Sequence, residues 1–156
     1  MIKIVEYNND YAKELSEIIL DNMYKINIKE HGKEVIDRIS KHFTENEIKK
    51  NFPNRTKCLV ALKDNEVVGT ASINKYKGDT TGEKYILLTV FVKIENHHQG
   101  IGRKLYNKVE SLNNKGFFTV NSSPYAHEVY KHLGFIDTDT EQCVNGLIFF
   151  PMKKNI

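Results

Sequence analysis

Residues 86–92 (ILLTVFV) form a near-continuous apolar run containing two valines and a threonine. That composition suits a strand buried on both faces. A polar turn follows, then Gly100-Ile101-Gly102. From there Ile101, Leu105, Val109 and Leu112 recur at spacings of four, four and three, which lays one apolar stripe along a helix. Gly116 ends it, with Lys115 in the last turn, where a cation complements the helix dipole.

Upstream, residues 2–6 (IKIVE) alternate as a strand does. Asn9 or Asp10 can cap a helix in which Ala12, Leu15, Ile18, Ile19, Met23 and Ile26 recur at helical spacing, a stripe wide enough to cover a sheet. The pattern fades at 29–32. Val35 and Ile39 predict a short helix over 34–42, and Thr44-x-x-Glu47 is a capping box for another that stops before Pro53. Residues 58–62 and 67–73 read as strands of a hairpin around the polar turn 63–66, and 74–84 as an exposed loop.

Downstream, residues 117–121 are a short strand. Ser122-Ser123-Pro124 opens a helix on which Ala126, Tyr130 and Leu133 share a face, and Gly134 ends it. Residues 135–139 begin another strand, and Asn145-Gly146 signals a tight turn before the last strand at 147–152. Pro151 argues for an edge position or a bulge there. The buried central strand, its helix and the C-terminal strands predict an α/β three-layer domain around a mixed sheet of six or seven strands.

Composition narrows the class. A chain of 156 residues makes one domain, 1–156, able to bury about 70% of its extended surface. Apolar content of 40% against 28% charged marks it as globular, not disordered. The net charge of +3 is mild and its basic residues are spread out, so it can assist an anionic ligand without implying nucleic acid. No apolar run reaches the length of about 18 residues that a membrane span needs. Two cysteines, Cys58 and Cys143, and an N-terminus unlike a signal peptide predict a reducing cytoplasm.

The glycine turn is the first candidate for chemistry. A helix start offers unpaired N–H groups and the positive end of its dipole, and glycines let a bulky anion approach the backbone. Arg103 and Lys104 stand in the first turn to meet it. The same turn could be only a tight loop with a surface Arg-Lys pair. A dinucleotide fingerprint would need glycine where Leu105 stands, and a phosphate loop of the Walker type would need Gly-Lys-Ser/Thr.

Two motifs carry a family resemblance. His97-His98-Gln99-Gly100-Ile101-Gly102-Arg103-Lys104-Leu105 resembles the acyl-coenzyme A signature Arg/Gln-x-x-Gly-x-Gly/Ala of the GNAT N-acetyltransferase superfamily. Tyr130-Lys131-His132-Leu133-Gly134-Phe135 resembles that family's Tyr-x-x-Leu-Gly-Phe, and Asn121 matches an asparagine common at the end of its fifth strand. Order and separation fit across roughly residues 58–153. The resemblance implies a mostly antiparallel sheet splayed at its centre, acetyl-CoA as cosubstrate, and acetyl transfer to a primary amine of a small molecule, peptide or protein. The uneven N-terminal helices are where that family builds part of its acceptor site. Homodimers are common in it, but no feature of this sequence sets an oligomeric state.

Residue by residue, the resemblance implies that the amides of Phe91, Val92 and Lys93 hold the pantetheine arm and the acetyl carbonyl. His98, Gln99, Gly100, Ile101, Gly102, Arg103 and Lys104 would grip the pyrophosphate. Asn121 would hydrogen-bond the arm, against a plain loop-capping role. Tyr130 would protonate the leaving thiolate, against a plain core role. Glu83 begins the region where the resemblance allows a glutamate base, against a plain solvent charge in a glycine loop, and an ordered water could serve instead. His97 replaces the usual Arg or Gln, His98 a frequent glycine and Ile94 a frequent proline. Adjacent His97 and His98, and His127 and His132 five apart, do not form metal pairs, so no metal is expected. The rival reading is a non-catalytic α/β module that binds a protein partner.

Overall fold

The computed structural model describes residues 1–113 and 115–156. Strand β1 (Ile2–Glu6) leads into α1 (Ala12–Asn22), a π turn (Met23–Asn27), α2 (Ile28–His31), α3 (Lys33–Ser40) and α4 (Glu45–Asn51). There follow β2 (Lys57–Lys63), β3 (Glu66–Lys75), β4 (Lys84–Val92), α5 (Ile101–Ser111), β5 (Phe117–Ser122), α6 (His127–His132), β6 (Ile136–Asp137), β7 (Gln142–Val144) and β8 (Leu147–Asn155).

Caps and glycines set several of the boundaries. Asn8, one residue before the expected caps, accepts from the Asp10 amide at 2.9 Å, because a 3-10 turn precedes α1. Thr44 accepts from the Glu47 amide at 3.3 Å, while the Glu47 carboxylate turns to Asn51, so the capping box is half closed. Gly100 begins α5 in the left-handed region at φ +78. At Gly116, φ +96, a Cβ would lie 2.0 Å from the Glu83 carbonyl oxygen, so only glycine fits where α5 hands over to β5.

The sheet runs β1-β2-β3-β4-β5-β8-β6, with β7 paired to β8, and is antiparallel except for the β4–β5 pair. Seven strands lie along that path, and β7 adds an eighth. Its three residues carry no apolar alternation. It exists because Asn145 (φ 52) and Gly146 (φ 82) close a tight hairpin onto β8. Pro151 is not at an edge, since β8 has neighbours on both flanks. Its missing N–H lies on the β6 side just beyond Asp137, where its carbonyl accepts from Thr138 at 2.9 Å.

Helices cover both faces. On one, Ile101, Leu105 and Val109 of α5 are buried with Tyr130 of α6 and Leu133 just after it. Leu112, the last member of the expected stripe, is the C-cap residue and 45% exposed. On the other, Leu15, Ile19, Ile48 and Phe52 are buried against Val60. No helix among the described residues is long and apolar enough to cross a membrane.

The centre of the sheet opens. β4 and β5 pair only where residues 84–86 meet 117–119, and diverge from Leu87 onward. β4 also carries one extra residue against β3, between Leu88 opposite Ser72 and Phe91 opposite Thr70. Thr89 in this bulge sits at φ +51, a strained place for a β-branched residue. Arg55 holds it there, donating to Thr89 Oγ1 at 2.8 Å and Ser72 Oγ at 2.6 Å while its guanidinium lies 4.0 Å above the Phe52 ring.

Candidate active site

Two cavities of about 290 Å³ each open on the gap. One runs toward the start of α5, past Val92, His98, Gly100, Gly102 and Arg103. The other runs under α3, past Met23, Ile36, Ile39 and Phe43. They share walls at Asn27, Val90, Phe91 and Tyr130, so the bulged strand and α6 form the divide between them.

The ladder decides which amides face the gap. The Lys93 amide donates to the Val68 carbonyl at 2.7 Å, so it is unavailable to an arm in the gap. In an antiparallel pair the next residue points the other way, which turns the Val92 N–H and C=O into the gap and those of Phe91 back toward Thr70. The Val92 carbonyl accepts from Asn22 Nδ2 at 2.9 Å and His97 Nε2 at 2.8 Å. Of the three expected amides, that of Val92 faces the gap.

His97 folds back on its own strand end. Because Nε2 donates to Val92, Nδ1 is the acceptor, and it takes the Tyr125 hydroxyl at 3.2 Å. His98, where the family has a frequent glycine, sits at φ +63, which is why glycine suits the position. His98, Gly100, Ile101, Gly102 and Arg103 line the α5 cavity, but Gln99 and Lys104 do not. Gln99 turns its carbonyl to Lys63 and Asn96. Lys104 stands exposed on the helix surface.

Tyr130 lines both cavities, is 7% exposed and packs edge-on to Phe135. Burial raises its phenol above the ordinary tyrosine range. Asn121, expected beside the arm, lines the α3 cavity instead. Glu83 does not join the site. It precedes β4 at the end away from the bulge, about 25 Å along the strand from Phe91, and its carboxylate lies 3.0 Å from Lys115.

Sequence reading missed several groups. Asn22, 5% exposed, ties α1 to β4 through Ile18 and Val92. Asn27 and His31 line the α3 cavity from the π turn and α2. Polar residues inside an apolar helical stripe gave no periodic signal, and the π turn that re-aims them has no sequence signature. His31 Nδ1 accepts from the Ile148 amide at 3.1 Å, and burial lowers its pKa. Among the described residues no three His, Cys, Asp or Glu side chains gather as a metal site.

This splayed mixed sheet, with a glycine-started helix at the mouth of its gap, is the architecture of an acyl-group transferase. The family model for an acetyltransferase (GNAT) domain matches residues 12–156, and the chain belongs to that acetyltransferase family. Solved structures share the fold at low identity. PaiA N-acetyltransferase of Thermoplasma acidophilum, in complex with coenzyme A, is 16% identical with a TM-score of 0.82, covering 100% of this chain and 99% of its own. A GNAT acetyltransferase of Staphylococcus aureus Mu50 is 21% identical with a TM-score of 0.73 and 99% coverage of both chains. The phosphinothricin acetyltransferase of Sinorhizobium meliloti, in complex with AcCoA, is 15% identical with a TM-score of 0.75, covering 99% of this chain and 88% of its own. No curated protein matches the chain.

Proposed function

We propose that residues 1–156 are a single N-acetyltransferase domain that moves an acetyl group from acetyl-CoA to a primary amine by direct attack. The observation that carries this reading is the meeting of two cavities at the splay of β4 and β5, with Tyr130 in the wall of both. Two relatives named above were solved with coenzyme A or AcCoA, and this chain's residues fit the same group. The first-turn amides of Ile101, Gly102 and Arg103 point out of the helix start. At Gly102 an added Cβ would meet only Val92 Cγ2 at 3.8 Å, which leaves room for an anion. Arg103 adds a positive charge at the same cavity.

In this reading the α5 cavity takes the arm and Val92 supplies its N–H across the gap. The acceptor arrives through the α3 cavity. Its nitrogen lone pair bonds the thioester carbonyl carbon, the C–S bond breaks, and the electron pair leaves on sulfur. Tyr130 gives its proton to that thiolate. The surplus proton on nitrogen passes to water, and the phenol is reprotonated from solvent. A raised phenol pKa keeps Tyr130 in the donating form at every working pH. Glu83 has no part in these steps.

Calorimetry with coenzyme A, followed by free-thiol release with a panel of amines, tests the reading. Binding well below millimolar and amine-dependent thiol release are expected. No binding at millimolar coenzyme A overturns the proposal, and binding without thiol release for any amine favours the non-catalytic module.

A further inference from the structure

Building on the acetyl-transfer reading, we propose that the acceptor is a primary amine on an uncharged apolar body, an arylalkyl or branched alkyl monoamine, seated in the α3 cavity. Ile36, Ile39, Phe43, Leu88 and Leu147 supply its apolar wall, and among the described residues no Asp, Glu, Lys or Arg lines it. Its volume of about 290 Å³ has room for on the order of ten heavy atoms.

The polar groups in that wall are neutral. His31 uses Nδ1 to accept from Ile148, which leaves its proton on Nε2, and burial opposes a second proton. Glu30 is not part of the lining. Its Oε1 accepts from Asn27 Nδ2 at 2.9 Å and lies 4.0 Å from His31 Nε2, its Oε2 accepts from the Tyr125 amide at 2.6 Å, and its pull on the His31 proton is outweighed by burial. Arg55 bonds Thr89 Oγ1 and Ser72 Oγ and is not part of the lining.

A second ammonium, or a carboxylate, taken into such a cavity would shed its water without meeting an opposite charge in the lining itself. A single amine fares differently, because it must be neutral to attack. Burial in an apolar wall favours the neutral, nucleophilic form. The cavity thereby performs part of the work of a carboxylate base, which is consistent with Glu83 lying far from it.

The test compares kcat/KM for phenethylamine, 1,4-diaminobutane and phenylalanine at saturating acetyl-CoA, corrected for the free-amine fraction. Phenethylamine should exceed both others by roughly 100-fold or more. Ile39→Glu, which puts a carboxylate on a half-buried wall position, should narrow the gap to diaminobutane by about tenfold or more while coenzyme A affinity holds. Diaminobutane or phenylalanine matching phenethylamine in the wild type overturns the proposal and leaves acetyl transfer standing. Absent coenzyme A binding would instead remove the acetyl-transfer reading beneath it. Should none of the three turn over, calorimetry of the same amines with the coenzyme A complex decides, and phenethylamine binding no tighter than diaminobutane overturns the proposal.

Discussion

Replacing Gly102 with aspartate separates ligand recognition from folding. A Cβ at this position meets one side-chain carbon at 3.8 Å and no backbone atom, so the fold has space for the change. Position 102 is in the first turn of α5, where a carboxylate complements the helix dipole by about 0.3–1 kcal/mol and escapes the helix cost of glycine. The thermal midpoint should therefore stay level or rise. The pyrophosphate proposed here would face the new carboxylate at roughly 5 Å. Repulsion there is about 3 kcal/mol at the effective dielectric of a protein surface, or roughly 100-fold in Kd. Calorimetry with coenzyme A at low and high salt measures it, and screening should shrink the gap as salt rises. Gly102→Ala, lacking the charge, should keep most of the affinity. A wild-type Kd in the aspartate variant would move the pyrophosphate site away from Gly102, and a lost affinity accompanied by a lowered midpoint would trace the loss to folding.

Tyr130→Phe should leave coenzyme A affinity nearly unchanged and slow single-turnover acetyl transfer by roughly 10- to 1000-fold; an unchanged chemical rate ends its candidacy. His98→Gly should stabilise the chain by up to about 1 kcal/mol in urea titration, because a left-handed non-glycine residue is relieved, and a clear loss would show that the His98 side chain does more than cap a turn. His31 is held below its ordinary pKa by burial, so the unfolded chain binds its proton first. Stability should therefore fall as pH drops below about 6.5, and His31→Asn should flatten that part of the profile. An identical slope in the variant would assign the acid sensitivity to another group.

Much of the architecture was legible because its causes are local. The stripe from Ile101 to Val109 demanded a sheet beneath it and Asn145-Gly146 demanded a hairpin, whereas the expected two-sided burial of the β4 run holds fully only at Leu87, because the rest of the run lines the two cavities and is half-buried. The site was legible in part. Gly100 and Gly102, named by the first motif, and Tyr130, named by the second, line one cavity. Glu83 stands before the start of β4 with its carboxylate 3.0 Å from Lys115, and Asn121 lines the α3 cavity; which cavity a side chain meets follows from where β4 and β5 part, which no local pattern encodes.

What the sequence determined alone was therefore the set of elements, their order and the chemistry available at the α5 start, since periodicity, capping and turn preferences act over a few residues. Tertiary structure decided where the sheet opens. Thr89 keeps a strained backbone where Arg55, from the segment before β2, bonds both it and Ser72 of β3. The bulge shifts the β3–β4 register, and the pairing of β4 with β5 stops after residue 86. The gap, the two cavities and the uncharged wall of one of them are contacts between residues dozens of positions apart, and no local pattern encodes them.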